Sequence, residues 1–273
     1  MRTSRTESMI GYLLLFALAL GILVPFIAII LAALHPPDTA LTGVSWPETF
    51  SWGNFALAWR DGHYATLMAT SLKVELLVVP LTLVLAALSG YALGGMRTPG
   101  AKLWSLLFLL GMVLPIEVII VPLYFSLRDL GLTNSLVILG LVESGAFLPF
   151  GVYWMRTHFA GLPKDLLEAA ALDGATPWRL FTRIHLPLAA APLTTLGVIY
   201  FMWCWNQFLL VLTLISDTKA RTAPAGLGFF VGPYSTDIPL LSAATLIVII
   251  PVVIVYAIFQ RQFIAGLLRG ASR

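Results

Sequence analysis

"MIGYLLLFALALGILVPFIAIILAAL", Met9 to Leu34, carries no charged residue from end to end. A helix rises about 1.5 Å per residue, so about 20 apolar residues cross the roughly 30 Å hydrocarbon layer of a bilayer. This stretch is long enough. Arg2 and Arg5 precede it, as basic residues precede a secretory leader. Its apolar run outlasts the roughly 7–15 residues of a leader core, and no small-residue cleavage pattern follows. The expectation is a retained spanning helix.

The rest of the chain has the same character. It has 273 residues, is 59% hydrophobic and only 11% charged, where soluble domains carry about 25% charge. A mean hydropathy of +0.92 leaves too little polar surface to cover a soluble core. Six segments read as spans, at roughly 9–34, 70–93, 103–125, 135–155, 188–215 and 239–260. Barrel strands would alternate and be about half as long. The expected fold is therefore an all-α membrane protein, a single transmembrane domain over 1–273 with no separate soluble domain.

Orientation follows the lysines and arginines beside the spans. Arg2, Arg5, Arg97, Lys102, Arg156, Lys164, Arg179, Arg183, Arg261, Arg269 and Arg273 share one side; Arg60, Lys73, Arg128, Lys219 and Arg221 share the other. The richer side is the cytoplasmic one, which places both termini there. Residues 35–69 and 216–238 become the larger external loops, and "SWPETFSWGNFALAW" in the first suits the membrane interface. The single cysteine, Cys204, excludes an internal disulfide, and four histidines lie without ligand spacing. No metal site is expected.

One polar segment interrupts the pattern, between the fourth and fifth spans. In 163–187, Pro163 suits the first turn of a helix and Leu166, Leu167, Ala169, Ala170 and Ala171 continue it. Gly174 falls where a left-handed cap would end it. Thr176 and Pro177 read as cap and first residue of a second helix, along which Trp178, Phe181 and Ile184 recur on one face. Pro187 closes that helix. The segment is either an ordinary interfacial loop resting its aromatics on lipid or a helix that inserts into a groove on a soluble partner.

Glu168-Ala169-Ala170, then Gly174, then Ile184-x-Leu186-Pro187 resembles the EAA signature of ABC-importer permeases at every fixed position. The resemblance implies that 163–187 is a coupling element docking on an ATP-hydrolysing subunit, with Glu168, Ala169, Ala170, Asp173, Gly174, Trp178, Phe181, Ile184, Leu186 and Pro187 as its residues. "LPIEVIIVPLY", "SLKVELL", "RTAPAGL" and "WNQF" are similar to segments of the maltose/oligosaccharide branch. In "WNQF", Gln207 stands where that branch usually has an acid, and the C-terminal "QRQFIAGLLRGASR" also departs from it. The implied partners are a second permease, two ATPase subunits, an external solute-binding protein and the lipid bilayer, with no nucleic acid. The implied location is a bacterial-type inner membrane.

The chain lacks the G-x-x-x-x-G-K-[ST] phosphate loop. ATP and magnesium are thus expected on the partner ATPases, with no cofactor here. Driving a two-state transporter from 1:99 to 99:1 takes roughly 5.5 kcal/mol of differential binding, which ATP-driven closure of the partners can deliver through a rigid link.

Charged groups within spans are costly and face a cavity or a partner. Lys73 and Glu75 read as snorkelling from the outer end of the second span. Glu117, between Pro115 and Pro122, either satisfies backbone groups freed by a kink or lines the path. Glu143 has no obvious partner and admits either role. Asn206 and Gln207 offer amides of the kind that bind sugars, beside Trp203 and Trp205, which are either a stacking surface or ordinary interfacial anchors.

The leading expectation is a sugar or oligosaccharide permease, with a related polyol or glycerol-phosphate-type solute as the alternative. An ion-coupled secondary transporter would need paired intramembrane acids or an inverted repeat. An intramembrane enzyme would need a nucleophile–base or metal constellation, and neither HExxH nor GxSxG occurs.

Overall fold

The computed structural model describes residues 5–96, 98–232 and 235–271; for 5–8, 10, 164, 166, 169, 171 and 262–271 it describes the backbone only. Arg2, Arg97 and Arg273, used above for orientation, lie outside the described residues. The helices in order are α1 (Arg5–Ala33), α2 (Gly53–Asp61), α3 (Tyr64–Gly94), α4 (Ala101–Val113), α5 (Ile116–Asp129), α6 (Leu136–Ala160) and α7 (Lys164–Leu172). They continue as α8 (Pro177–Leu188), then α9 (Ala190–Trp205), α10 (Leu209–Leu214) and α11 (Ile238–Ala271). Among the described residues only one isolated bridge, Val231 to Thr236, is extended pairing. The chain is all-helical.

Four helices are long and apolar enough to cross a membrane alone, and there are up to six spans if each of two bent pairs serves as one. One of these bends, between α4 and α5, and a separate break within the fifth segment correct two of the expected spans. The third was read as one helix over 103–125, but α4 and α5 meet at 94°. The cause is Pro115, which forces Leu114 extended (φ −76°, ψ 112°) and has no N–H to continue the ladder. The fifth was read as one helix over 188–215. It breaks at Asn206, and α10 restarts after Phe208. Asn206 Nδ2 donates to the Met202 carbonyl at 2.7 Å, and Gln207 Oε1 accepts from Leu210 N at 3.4 Å. The Met202 carbonyl also accepts from Asn206 N at 3.2 Å, so it is Gln207 that partners a group the break frees, the Leu210 N–H in the first turn of α10.

The chain forms two compact units, Met1–Thr66 with Gly226–Ile250 and Leu67–Ala225 with Pro251–Arg273. In the first, α1 is apolar and exposed over most of its length, as a helix facing lipid is, and becomes buried only as it ends at Ala33. Its last carbonyls are closed by Asn54, whose Nδ2 donates to Ala33 O at 2.8 Å and His35 O at 2.7 Å. Ser51 N donates to Leu34 O at 2.8 Å. The expected interfacial loop thus contains a short helix, α2, with Trp46, Trp52 and Trp59 on the surface around it.

The second unit is packed around α3, α6 and α9. A Cβ on Gly90 would come within 2.5 Å of the Met155 Cβ, and one on Gly94 would run into the Arg156 carbonyl oxygen. These two glycines, four apart on one face, let α3 lie backbone-close against α6. Gly151 makes room in the same way for the Tyr200 hydroxyl, which donates to Phe147 O at 3.2 Å. At the other end, Asn134 N donates to Leu214 O at 2.8 Å and Asn134 Oδ1 accepts from Ser216 N at 2.6 Å, joining the end of α10 to the start of α6.

Gly94→Ala is expected to push α3 off α6 and cost about 1–3 kcal/mol. The check is the thermal unfolding midpoint of the detergent-solubilised protein; an unchanged midpoint would count against the backbone-close packing.

Candidate functional site

The segment 163–188 folds as its sequence prescribes locally. Gly174 takes φ +76°, and the Ala175 N–H reaches back to the Ala170 carbonyl at 3.0 Å. That six-to-one closure is the capping pattern for which a glycine is favoured, because a side chain in the left-handed region is strained. Thr176 then caps α8, its Oγ1 accepting from Arg179 N at 3.3 Å, with Pro177 in the first turn. Helix, glycine turn, helix is the observed order.

The end of α8 differs from the expectation. Pro187 does not close the helix, which runs on to Leu188 and breaks at Ala189 (φ −86°, ψ 2°), bending 72° into α9. The proline is accommodated by a wide turn over Phe181–His185, where Leu186 N–H bonds to Phe181 O, five residues back. A wider turn relieves the clash between a proline ring and the carbonyl four residues earlier.

Burial divides the segment into a tip and a root. At the tip, Leu172 is 89% exposed and Trp178 65% exposed, with Glu168 and Asp173 also on the surface. Ala170 is half-buried, and the side chain of Ala169 lies outside the described residues. At the root, Phe181 is 5% exposed and His185 1%. Phe181 packs on Tyr91 at 5.0 Å between ring centroids and His185 on Tyr91 at 4.7 Å, while Phe159 lies 5.5 Å from His185. The stripe of Trp178, Phe181 and Ile184 therefore does not face one partner: Trp178 is presented outward and Phe181 is held inward. Ile184 and Leu186 are half-buried and Pro187 exposed. Sequence reasoning missed Tyr91, Phe159 and His185, whose shared cluster depends on contacts among distant helices.

A second cluster lies between α3, α6 and α9. Glu143 is fully buried and accepts a hydrogen bond from the Cys204 thiol, Sγ to Oε2, at 3.1 Å. Its expected lack of an in-chain partner is corrected by a cysteine that sequence reasoning had used only to exclude disulfides. Glu75 does not snorkel either. It is 5% exposed, and neither of its carboxyl oxygens has a hydrogen-bond partner among the described residues. Helix register turns it inward, because Val74, Glu75 and Val78 share the buried side of α3. No group of metal-ligating side chains occurs among the described residues.

Beside this cluster is a cavity of about 470 Å³ lined by Phe147, Ile199, Met202, Trp203, Asn206 and Gln207. With Asn206 Nδ2 engaged by Met202 O and Gln207 Oε1 by Leu210 N, an amide oxygen and an amide nitrogen remain there. Of the four substrate-path candidates, the structure brings Asn206 and Gln207 together on this cavity. Glu143 is not in its lining, and Glu117 is exposed in the first turn of α5.

Several helices long and apolar enough to cross a membrane, a pocket lined by aromatics and amides, and a capped hairpin describe a multi-pass membrane protein. The chain belongs to the family of binding-protein-dependent transport system inner membrane components, whose model matches residues 83–269. A diacetylchitobiose uptake system permease protein of Streptomyces coelicolor is 30% identical, over 99% of this chain and 91% of its own length. A trehalose transport system permease protein of Mycobacterium tuberculosis is 31% identical, over 92% of each chain. An arabinooligosaccharides transport system permease protein of Halalkalibacterium halodurans is 30% identical, over 91% of this chain and 90% of its own. A chain in the crystal structure of a bacterial ABC transporter involved in import of the acidic polysaccharide alginate shares the fold. Its TM-score is 0.79, over 96% of this chain and 99% of that one, at 22% identity.

Cys204→Ser keeps a donor for Glu143 and is expected to leave the unfolding midpoint within about 1 kcal/mol of the parent. Cys204→Val orphans the carboxylate and costs about 1–3 kcal/mol. Equal midpoints for the two variants would show that the thiol contact contributes nothing.

Proposed function

We propose that this chain is the membrane-spanning subunit of an ATP-driven importer of a sugar or oligosaccharide, and that residues 163–187 receive the motion of a partner ATPase. The observation that carries the coupling role is the division of that segment into an exposed tip and a buried root. Leu172 and Trp178 offer apolar surface flanked by Glu168 and Asp173, the composition of a helix that seats in a partner's groove. The buried root gives such a contact something to pull on.

In this reading α4 with α5 and α9 with α10 each serve as one span, giving six, with both termini and the tip on the cytoplasmic side as the lysine and arginine balance indicates. A second permease completes the pathway, two ATPase subunits bind ATP and magnesium, and an external binding protein delivers the solute to the opposite face. Nucleotide-driven closure moves the tip, and the helices exchange inward- and outward-facing states.

The substrate class rests on the named relatives and on the cavity. Phe147 and Trp203 offer flat apolar faces of the kind that sugar rings stack on, and Asn206 and Gln207 offer one acceptor and one donor for hydroxyl groups. Its volume lies within the range of about 300–1,000 Å³ usual for small-molecule sites. A related polyol or glycerol-phosphate-type solute would use the same groups. The buried Glu75 and Glu143 pair favours a second reading, ion-coupled transport, which would persist with ATPase partners unable to hydrolyse ATP.

Glu168→Lys or Gly174→Pro is expected to lower uptake at least tenfold while membrane insertion is retained. Normal uptake by both variants would sink the coupling role. Thermal shift of the cognate binding protein across a panel of mono- and oligosaccharides identifies the substrate. With that sugar, Trp203→Ala is expected to reduce uptake several-fold, whereas a shift produced only by non-carbohydrate solutes would overturn the class.

A further inference from the structure

We propose that Tyr91 is the positioning residue that locks the root of the 163–188 segment to α3 and α6, so that tip motion reaches those helices directly rather than through the chain alone. The inference rests on the coupling role proposed above for that segment. The Tyr91 hydroxyl donates to the Pro177 carbonyl at 2.9 Å. Pro177 opens α8, at the boundary between exposed tip and buried root. The same tyrosine ring meets Phe181 at 5.0 Å, His185 at 4.7 Å and Phe159 at 6.0 Å. One side chain of α3 therefore touches the segment at its entry and along its buried turn, with α6 closing the other side.

The surroundings make this contact stiff. Tyr91 lies within the stretch from Gly90 to Gly94, where α3 approaches the backbone of α6 at Met155 and Arg156. Neither helix can shift there without the other, because a close-packed interface has no slack to absorb displacement. The covalent route is the weaker link: Ala189 interrupts the helix, and α8 and α9 meet at 72°. A directional hydrogen bond at the entry fixes how the segment sits in its socket, which aromatic packing alone leaves free to slide.

The test uses the assembled transporter in lipid vesicles, with partner permease and ATPases present, and needs no knowledge of the solute. Cys204→Ser removes the native thiol, and Met202→Cys places a reporter on the cavity. Labelling of that chain by a membrane-impermeant maleimide is measured with Mg-ATP and vanadate and without nucleotide. On this parent, Tyr91→Phe keeps the ring and removes only the hydroxyl. The expected result is ATP hydrolysis within twofold of the parent, an unchanged melting midpoint, and a nucleotide-dependent change in labelling reduced at least fivefold. A Tyr91→Phe complex that responds like the parent overturns the proposal, as does one whose midpoint falls together with its response. Glu168→Lys on the same parent separates the two readings. If it alone loses the response, the coupling role stands and the Tyr91 lock fails; if it too responds normally, the coupling role itself is wrong.

Discussion

Backbone N–H and C=O groups cannot be left unpaired in hydrocarbon, and this constraint governs every place where the chain departs from a straight helix. At Leu114 and Pro115 the ladder stops at the residue that proline forces extended, and Pro115 has no N–H to leave unpaired. At Asn206 to Phe208 the Gln207 amide oxygen accepts the Leu210 N–H that the break leaves without a helical partner. Before Pro187 the helix widens by one residue, so that Leu186 N–H still finds the Phe181 carbonyl. Each irregularity is confined to a few residues. Together they place a cavity lined by amides beside α9 and a hairpin before it.

The packing of α3 on α6 has the same economy. Two glycines bring the helices together at Met155 and Arg156, and the tyrosine between them is thereby presented to the hairpin's root. Fold and site share residues here, so the segment proposed to meet a partner is seated on one of the tightest contacts of its unit. Elsewhere on these helices Glu75 of α3 and Glu143 of α6 are enclosed with Cys204 of α9. Two buried acids with no ion pair among the described residues are a costly arrangement in an apolar setting.

The apolar runs and the caps were legible in the sequence because they depend on near neighbours. Hydropathy located the long helices α1, α3, α6 and α11 to within several residues at most ends. Gly174, Thr176 and Pro177 carried the hairpin because each fixes backbone geometry at its own position. The breaks were less legible. Pro115 was read as a kink and became a turn between two helices, and Asn206 lay inside an apolar run whose hydropathy overrode it. Contacts between distant spans were beyond reach: the pairing of Cys204 with Glu143 and the seating of His185 against Tyr91 depend on helix rotation that composition does not encode. Trp178 and Phe181 looked alike by spacing and their rings do touch at 5.6 Å, yet one is exposed and the other enclosed, because only Phe181 reaches Tyr91 and Phe159 on α3 and α6.

The 72° angle at Ala189 sets α8 and α9 close to perpendicular. In the proposed coupling role, a thrust along α8 would therefore reach α9 as a sideways push on its near end, with little sliding along the helix axis. Such a push would tilt α9 against α3 and α6 without drawing its polar end into the hydrocarbon.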